Sequence, residues 1–197
     1  MRNFLYGAIF LFVFIVNVQG QTKPLEFPGE KHLKNIKQLT FGGENAEAYF
    51  SFDGKQLIFQ SKRDELKCDQ IFRMNIDGSN VQRVSNGEGR TTCSYFLKGG
   101  KKVIYASTFG GAKECPPNPD FSMGYVWPVY PDFDIYESTP DGKNIKKLTN
   151  TPGYDAEATV SPNGKKIVFT SERDGDLDLY SMDINGKNVK RLTDGVG

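Results

Sequence analysis

The chain has 197 residues, with 25 Lys and Arg against 24 Asp and Glu and a formal net charge of +1. Its 38% hydrophobic and 13% aromatic residues are enough for a folded core and exclude an intrinsically disordered protein. Its 3 cysteines exclude a disulfide-dense miniprotein. The near-zero charge argues against a nucleic-acid partner and against attachment to an acidic membrane surface.

The first 20 residues have the layout of a secretory signal peptide. Arg2 supplies a positive charge before an apolar run of 13 residues, Phe4 to Val16. A membrane-spanning helix needs about 20 such residues, so we expect cleavage after Gly20 rather than an uncleaved anchor, which is the alternative. The mature chain would then be periplasmic or secreted, without stable membrane insertion, and would begin with a polar lead-in, residues 21–34.

Residues 35–197 contain repeated copies of one pattern. A glycine followed by a lysine and an apolar run recurs at Gly54–Ser61, Gly100–Ser107 and Gly164–Ser171. A second landmark recurs at Leu39–Thr40, Val84–Ser85, Leu148–Thr149 and Leu192–Thr193. Its copies are 45, 64 and 44 residues apart, which indicates a repeat of 44–45 residues with one insertion.

Each copy contains the signals for four short strands. In the third copy we expect strands near Glu157–Val160, Lys165–Ser171, Leu177–Asp183 and Asn188–Leu192. The second of these is a continuous apolar run, which is typical of a strand buried on both faces. Four strands in about 44 residues are typical of a β-propeller blade. The fold prediction is therefore all-β, with three four-stranded blades at about residues 45–85, 91–149 and 155–193.

The third copy, Tyr154 to Thr193, and its weaker copies resemble the WD40-like (PD40-type) repeat of the periplasmic TolB propeller. The same repeat is found in the N-terminal propellers of prolyl-oligopeptidase-type serine peptidases. The resemblance covers about residues 35–197. It implies a ring of roughly six blades, of which this chain holds about half.

The repeat boundaries suggest that the chain is the N-terminal part of a longer propeller. Leu39–Thr40 matches the outermost strand of a blade whose other strands are absent, and only four residues follow Thr193. Closed propellers have at least about four blades. We therefore expect a chain truncated at its C-terminus, with exposed blade edges that favour association. The alternative is a three-bladed chain that oligomerises into a ring.

The motifs of common enzymes are absent from the sequence. It lacks a G-x-S-x-G motif, and the single histidine, His32, lies in the lead-in, so a Ser-His-Asp triad cannot be assembled. Asp174, Asp176 and Asp178 imitate part of a calcium loop without its glycine and glutamate. We expect these acids to shape their loop and to pair with Arg173. The sequence thus predicts no enzymatic activity, no cofactor and no metal site.

The insertion, residues 108–132, is the first candidate for ligand binding. It lies between the second and third strands of the second blade and contains five prolines and several aromatic residues, a composition that favours a stiff, amphipathic lid. Tyr125, Trp127 and Tyr130 are its candidate ligand-contact residues. The alternative is a lid that only covers apolar blade surface.

Three aligned positions form the second candidate site. Glu47, Cys93 and Glu157 occupy the same place at the start of the innermost strand of each blade. Propellers place this part of the strand near the rim of their central channel. The two carboxylates could bind a cation or a basic group. Alternatively, they could accept hydrogen bonds from the neighbouring backbone.

The three cysteines should lie on one face of the propeller. Cys68 and Cys115 fall on equivalent loops of blades one and two, and Cys93 begins the first strand of blade two. In an exported protein, two cysteines whose Cα atoms come within about 7 Å would form a disulfide. We expect one disulfide, Cys68–Cys93, with Cys93–Cys115 as the alternative. Three free, buried cysteines are the remaining possibility.

These features together predict an exported, non-enzymatic, TolB-like propeller. By the resemblance, it would be a periplasmic scaffold that binds a protein or peptide partner, with a possible link to envelope translocation. The alternative is the N-terminal propeller of a secreted prolyl-oligopeptidase-type peptidase whose catalytic domain lies beyond the chain. A carbohydrate-binding propeller is the third hypothesis, because tryptophan and tyrosine platforms suit sugar rings.

Overall fold

The computed structural model describes Leu25 and residues 27–195. The predicted signal peptide, residues 1–20, and the first part of the lead-in lie outside the described residues. The chain divides into two units, Met1–Gln38 and Leu39–Gly197, and every described strand belongs to the second. The described part of the chain contains no helix that is long and apolar enough to cross a membrane.

The strands form three antiparallel four-stranded sheets in chain order, which we call blades one, two and three. Blade one consists of β1 (Glu44–Phe50), β2 (Gln56–Lys62), β3 (Gln70–Asn75) and β4 (Gln82–Arg83). Blade two consists of β5 (Thr91–Phe96), β6 (Val103–Ser107), β7 (Asp134–Ser138) and β8 (Lys146–Lys147). Blade three consists of β9 (Asp155–Val160), β10 (Lys166–Ser171), β11 (Asp178–Asp183) and β12 (Lys190–Arg191). The predicted all-β class with three four-stranded blades is confirmed.

The blades are held together by the apolar side chains of their second and third strands. Alternate residues of a strand point to opposite faces of its sheet. Ile58 and Ile71 of blade one therefore pack with Val103 and Tyr105 of blade two. Blades two and three repeat the arrangement with Ile104, Ile135, Ile167 and Phe169. The same repeat positions thus form both interfaces.

A glycine with a positive φ angle precedes the outermost strand of each blade, so the repeat is also found in the backbone conformation. Gly78, Gly142 and Gly186 have positive φ angles of 84°, 77° and 85°. A Cβ atom added to them would lie 3.0 Å from the Leu39 carbonyl oxygen, 2.4 Å from that of Val84 and 2.8 Å from that of Leu148, respectively. Leu39 therefore contacts blade one in the same way that Val84, which follows β4, contacts blade two. This is the position expected for the outermost strand of a preceding blade.

The outer face of blade three is less covered than the equivalent faces of blades one and two. Leu179 is 44% exposed, whereas its equivalents Ile71 and Ile135 are 0% exposed. The reason is that Ile71 and Ile135 each face a following blade, while Leu179 faces none in the described part of the chain. This difference provides a matched pair of positions for a stability test.

Replacing Ile135 with Ala should lower the free energy of unfolding by about 3 kcal/mol, because it leaves a cavity between blades two and three. Leu179→Ala at the equivalent position should cost less than about 1 kcal/mol, because that side chain is half exposed. Urea unfolding followed by tryptophan fluorescence measures both values. Equal losses would contradict the exposed position of Leu179.

Candidate functional site

The lid, residues 108–132, joins β6 to β7 and carries much of the exposed aromatic surface. Met123 is 96% exposed, Tyr125 78% and Trp127 49%, and the Phe121 and Tyr125 rings stack with centroids 6.2 Å apart. Single exposed apolar side chains are common, but a contiguous group on one segment is typical of an interaction surface. The lid therefore presents exposed apolar side chains to solvent as well as covering the blade beneath it.

A disulfide and an arginine anchor this lid. Cys68, on the loop before β3, is bonded to Cys115 in the lid, with Cα atoms 6.0 Å apart. Arg90 lies between blades one and two, where its Nη1 is 3.1 Å from an Asp69 carboxylate oxygen. The Arg90 Nη2 donates a hydrogen bond to Asn118 in the lid at 3.1 Å. The lid is thus tied to blade one at two separate points.

The observed disulfide corrects the sequence prediction. One disulfide and one free thiol are found, but Cys93 is the free residue, so both Cys68–Cys93 and Cys93–Cys115 are wrong. Cys93 lies in β5, as expected, but at a bulge where its φ angle is +49°. The bulge directs its side chain into a small cavity that it shares with Glu47 and Glu157, whereas Cys68 faces the lid.

The first cavity, which we call cavity one, lies under the lid and has a volume of about 340 Å³. Its apolar walls come mainly from the lid and the strands beside it: Phe121, Tyr125, Val126, Trp127, Pro128, Tyr130, Phe133 and Tyr154. The start of β1 lies on the opposite side and contributes Glu44, Asn45 and Ala46. All three aromatic residues that the sequence singled out therefore line one space.

Several polar groups around cavity one already have partners within the chain, whereas the buried Arg90 Nε has none among the described residues. Gln60 accepts a hydrogen bond from Thr92, and the Asn45 side-chain oxygen accepts one from Ser61 at 2.9 Å. The pairing of Arg90 with Asp69 satisfies two further charges. Cavity one therefore offers a ligand aromatic and apolar contact more than unused hydrogen-bonding groups.

The second cavity, which we call cavity two, has a volume of about 220 Å³. It is lined by Glu47, Tyr49, Cys93, Tyr95, Trp127, Glu157, Ala158 and Thr159. The three aligned positions predicted to lie near the channel rim thus meet here. Trp127 lines both cavities, so the two candidate sites of the sequence analysis are parts of one surface.

A repeated backbone feature produces this convergence. Glu47, Cys93 and Glu157 have φ angles of 51°, 49° and 56°, and each lies at an irregularity in the pairing of the first and second strands of its blade. Positive φ is uncommon for residues other than glycine. Bulges of this kind redirect a side chain, and here they direct three equivalent side chains towards the same space.

Hydroxyl groups hold one of the carboxylates in place. Glu157 accepts a hydrogen bond from Thr170 Oγ1 at 2.6 Å and one from the Tyr154 hydroxyl at 3.4 Å. The Trp127 Nε1 donates to that same Tyr154 hydroxyl at 3.4 Å. The sequence analysis considered backbone donors for this carboxylate, whereas the donors found are side-chain hydroxyls. Glu157 is thereby linked to the lid through Tyr154.

The Cys93 thiol and the Tyr95 hydroxyl of cavity two, and the nearby Tyr154 hydroxyl, are neutral. Burial raises the pKa of the Cys93 thiol, and the nearby carboxylates of Glu47 and Glu157 raise it further. Burial is also the main reason that the pKa values of the Tyr95 and Tyr154 hydroxyls lie above their usual range. Negative charge in this cavity therefore comes from its two carboxylates alone.

The aspartates that resemble part of a calcium loop, Asp174, Asp176 and Asp178, have a structural role in blade three. Arg173 pairs with Asp155 at 2.9 Å rather than with the loop acids. Arg191 instead contacts Asp178 and lies 4.0 Å from Asp174. Among the described residues, no group of three or more His, Cys, Asp or Glu side chains is placed to hold a metal ion.

Sequence comparisons give short or distant matches. No protein-family model matches the chain. Dipeptidyl-peptidase 5 of Porphyromonas endodontalis is 22% identical over 124 residues, which are 61% of this chain and 15% of that protein. The Tol-Pal system protein TolB of Bordetella pertussis is 42% identical over 38 residues, which are 19% of this chain and 9% of that protein.

Structural comparison supports the propeller fold over most of the chain. The crystal structure of TolB from Acinetobacter baumannii matches with a TM-score of 0.60 and 26% identity, over 79% of this chain and 34% of that one. The chain therefore spans about a third of that structure and a smaller share of the two sequence relatives. The TolB-like β-propeller fold implied by the repeat resemblance is supported.

The disulfide assignment predicts a defined thiol count. The denatured, unreduced chain should contain one reactive thiol, and peptide mapping should place it at Cys93. The native chain at pH 8 should react far more slowly, because Cys93 is 7% exposed and its raised pKa keeps the sulfur protonated. Three thiols in the denatured chain, or mapping of the bond to Cys93, would contradict the structure.

Proposed function

We propose that the chain is an exported, non-enzymatic propeller module. It binds a protein or peptide segment on the face that carries the lid, which we call the lid face. The single observation that carries the proposal is the shared position of Trp127, which joins the exposed aromatic surface of the lid to both cavities. Fold likeness to TolB supports a scaffold role, and a link to envelope translocation rests on that likeness alone. Export rests on the signal-like residues 1–20.

The composition of cavity one favours a peptide over a sugar. A sugar presents many hydroxyl groups, each of which needs a hydrogen-bonding partner when it leaves water. Polar side chains that line cavity one already have partners within the chain, as Gln60 has in Thr92 and Asn45 in Ser61. An apolar or aromatic side chain of a peptide would instead bury its surface against Trp127 without unsatisfied polar groups.

The alternative is a propeller that belongs to a secreted peptidase. The match to dipeptidyl-peptidase 5 over 61% of the chain is the observation that favours it. The lid face would then receive peptide substrates for a catalytic domain outside this sequence. Both hypotheses require peptide binding at the lid, and only the second requires catalysis elsewhere in a longer protein. We propose that the present chain has no catalytic role of its own, since its only histidine is His32.

An array of random decapeptides probed with the purified chain tests the binding proposal. We expect binding enriched for peptides with aromatic or large aliphatic residues, and a loss of about tenfold or more in affinity for Trp127→Ala, because aromatic anchors dominate such sites. Phe50→Ala is the matched control, since Phe50 is an exposed aromatic residue that lines neither cavity. Equal binding by all three proteins, or no binding, would contradict the proposal.

A further inference from the structure

Cavity two combines aromatic walls with uncompensated negative charge. The Tyr49 and Tyr95 rings stack with centroids 4.2 Å apart, and Trp127 lies on the lid side. Glu47 and Glu157 add two carboxylates, while no lysine or arginine lines the cavity. Ring faces and carboxylates both attract positive charge.

The carboxylates of cavity two have no cationic partner in the described part of the chain. The ion pairs found there do not include Glu47 or Glu157. Other carboxylates on this face are compensated, as Asp69 is by Arg90 and Glu44 is by Lys62 at 3.4 Å. Cavity two therefore holds two carboxylates without a cationic partner among the described residues.

The wall chemistry selects the kind of cation. Calcium requires about six to eight oxygen ligands, whereas three aromatic rings and a protonated thiol occupy most of this lining. An alkylammonium or guanidinium group can instead contact ring faces and donate hydrogen bonds to carboxylates at the same time. The volume of about 220 Å³ is large enough for the end of a lysine or arginine side chain.

We propose that cavity two binds the ammonium or guanidinium group of a peptide whose neighbouring apolar residue occupies cavity one. Trp127, which lines both cavities, lies between the two groups of the ligand. The inference rests on the proposed peptide-binding function and adds the chemistry of the ligand to it. Glu157 is the fixed carboxylate, held by Thr170 and Tyr154, and Glu47 faces it from blade one.

Three dipeptide probes test the proposal by titration to millimolar concentration, followed by the fluorescence of Trp127, the only tryptophan. They are N-acetyl-phenylalanyl-lysine amide, its norleucine analogue, which keeps the chain length and lacks the charge, and the norleucine analogue with a free amino terminus. We expect the lysine probe to bind about tenfold more tightly than the acetylated norleucine probe. The third probe shows whether a terminal amine can replace the side-chain ammonium.

The double variant Glu47→Gln/Glu157→Gln should remove the preference for lysine. Glutamine keeps the size of each side chain and still accepts the hydrogen bonds from Thr170 and Tyr154, so the fold should be retained, and thermal unfolding checks this. Glu88→Gln is the matched control, because Glu88 pairs with Lys113 and lines neither cavity. It should leave the preference unchanged. Glu47→Gln alone provides a milder variant if the double variant unfolds.

The outcomes separate this inference from the proposed function. A lysine preference that disappears in the Glu47→Gln variants and persists in Glu88→Gln supports the cation site. Equal affinity of the wild type for the lysine and acetylated norleucine probes overturns it, although peptide binding through Trp127 would still stand. No fluorescence change with the lysine probe also overturns it, and the peptide array then decides on the proposed function by itself.

Discussion

The structure depends on one packing constraint, which is that the second strand of each blade is apolar on both faces. Such a strand is stable only between two layers, so successive blades must stack with equivalent residues in contact. Ile58 and Ile104 occupy the same position in the two interfaces and are both fully buried. This stacking fixes the angle between blades and thereby the positions of their first strands and connecting loops.

The candidate binding surface follows from that stacking. The first strand of each blade has a bulge at the same repeat position. Because the blades stack in the same orientation, Glu47, Cys93 and Glu157 line one cavity. The loops between second and third strands emerge on one face, which brings Cys68 next to Cys115. With a sequence separation of 47 between the two cysteines, the bond stabilises the folded chain by about 4 kcal/mol when only the entropy of the unfolded chain is considered.

Much of this arrangement could be predicted from the sequence because it repeats. The landmarks placed the strands of blade three within about two residues of β9 to β12, and alignment alone identified Glu47 and Glu157 as neighbours. The repeat carries no information about contacts that occur once. Arg90, which ties the lid to Asp69, and the Tyr49–Tyr95 stack beside the carboxylates were missed for this reason.

The prediction of the disulfide pairing was wrong for a related reason. The loop positions of Cys68 and Cys115 were equivalent in the alignment, but the sequence did not reveal that the bulge in β5 turns Cys93 away from both of them. The direction of a side chain at a bulge depends on φ, and the +49° angle of Cys93 is unusual for a residue other than glycine. The same unpredicted angle places the thiol between Glu47 and Glu157, where it contributes to cavity two.

The central claim is that the anchored lid and the innermost strands form one ligand-binding surface. Hydrogen–deuterium exchange of the purified chain, with and without the strongest peptide from the array, tests it most directly. The account predicts slower exchange in part of the lid, residues 116–130, and in β1 and β9, because these segments line the two cavities. Protection confined to the outer face of blade three, around Leu179 and β12, would contradict it.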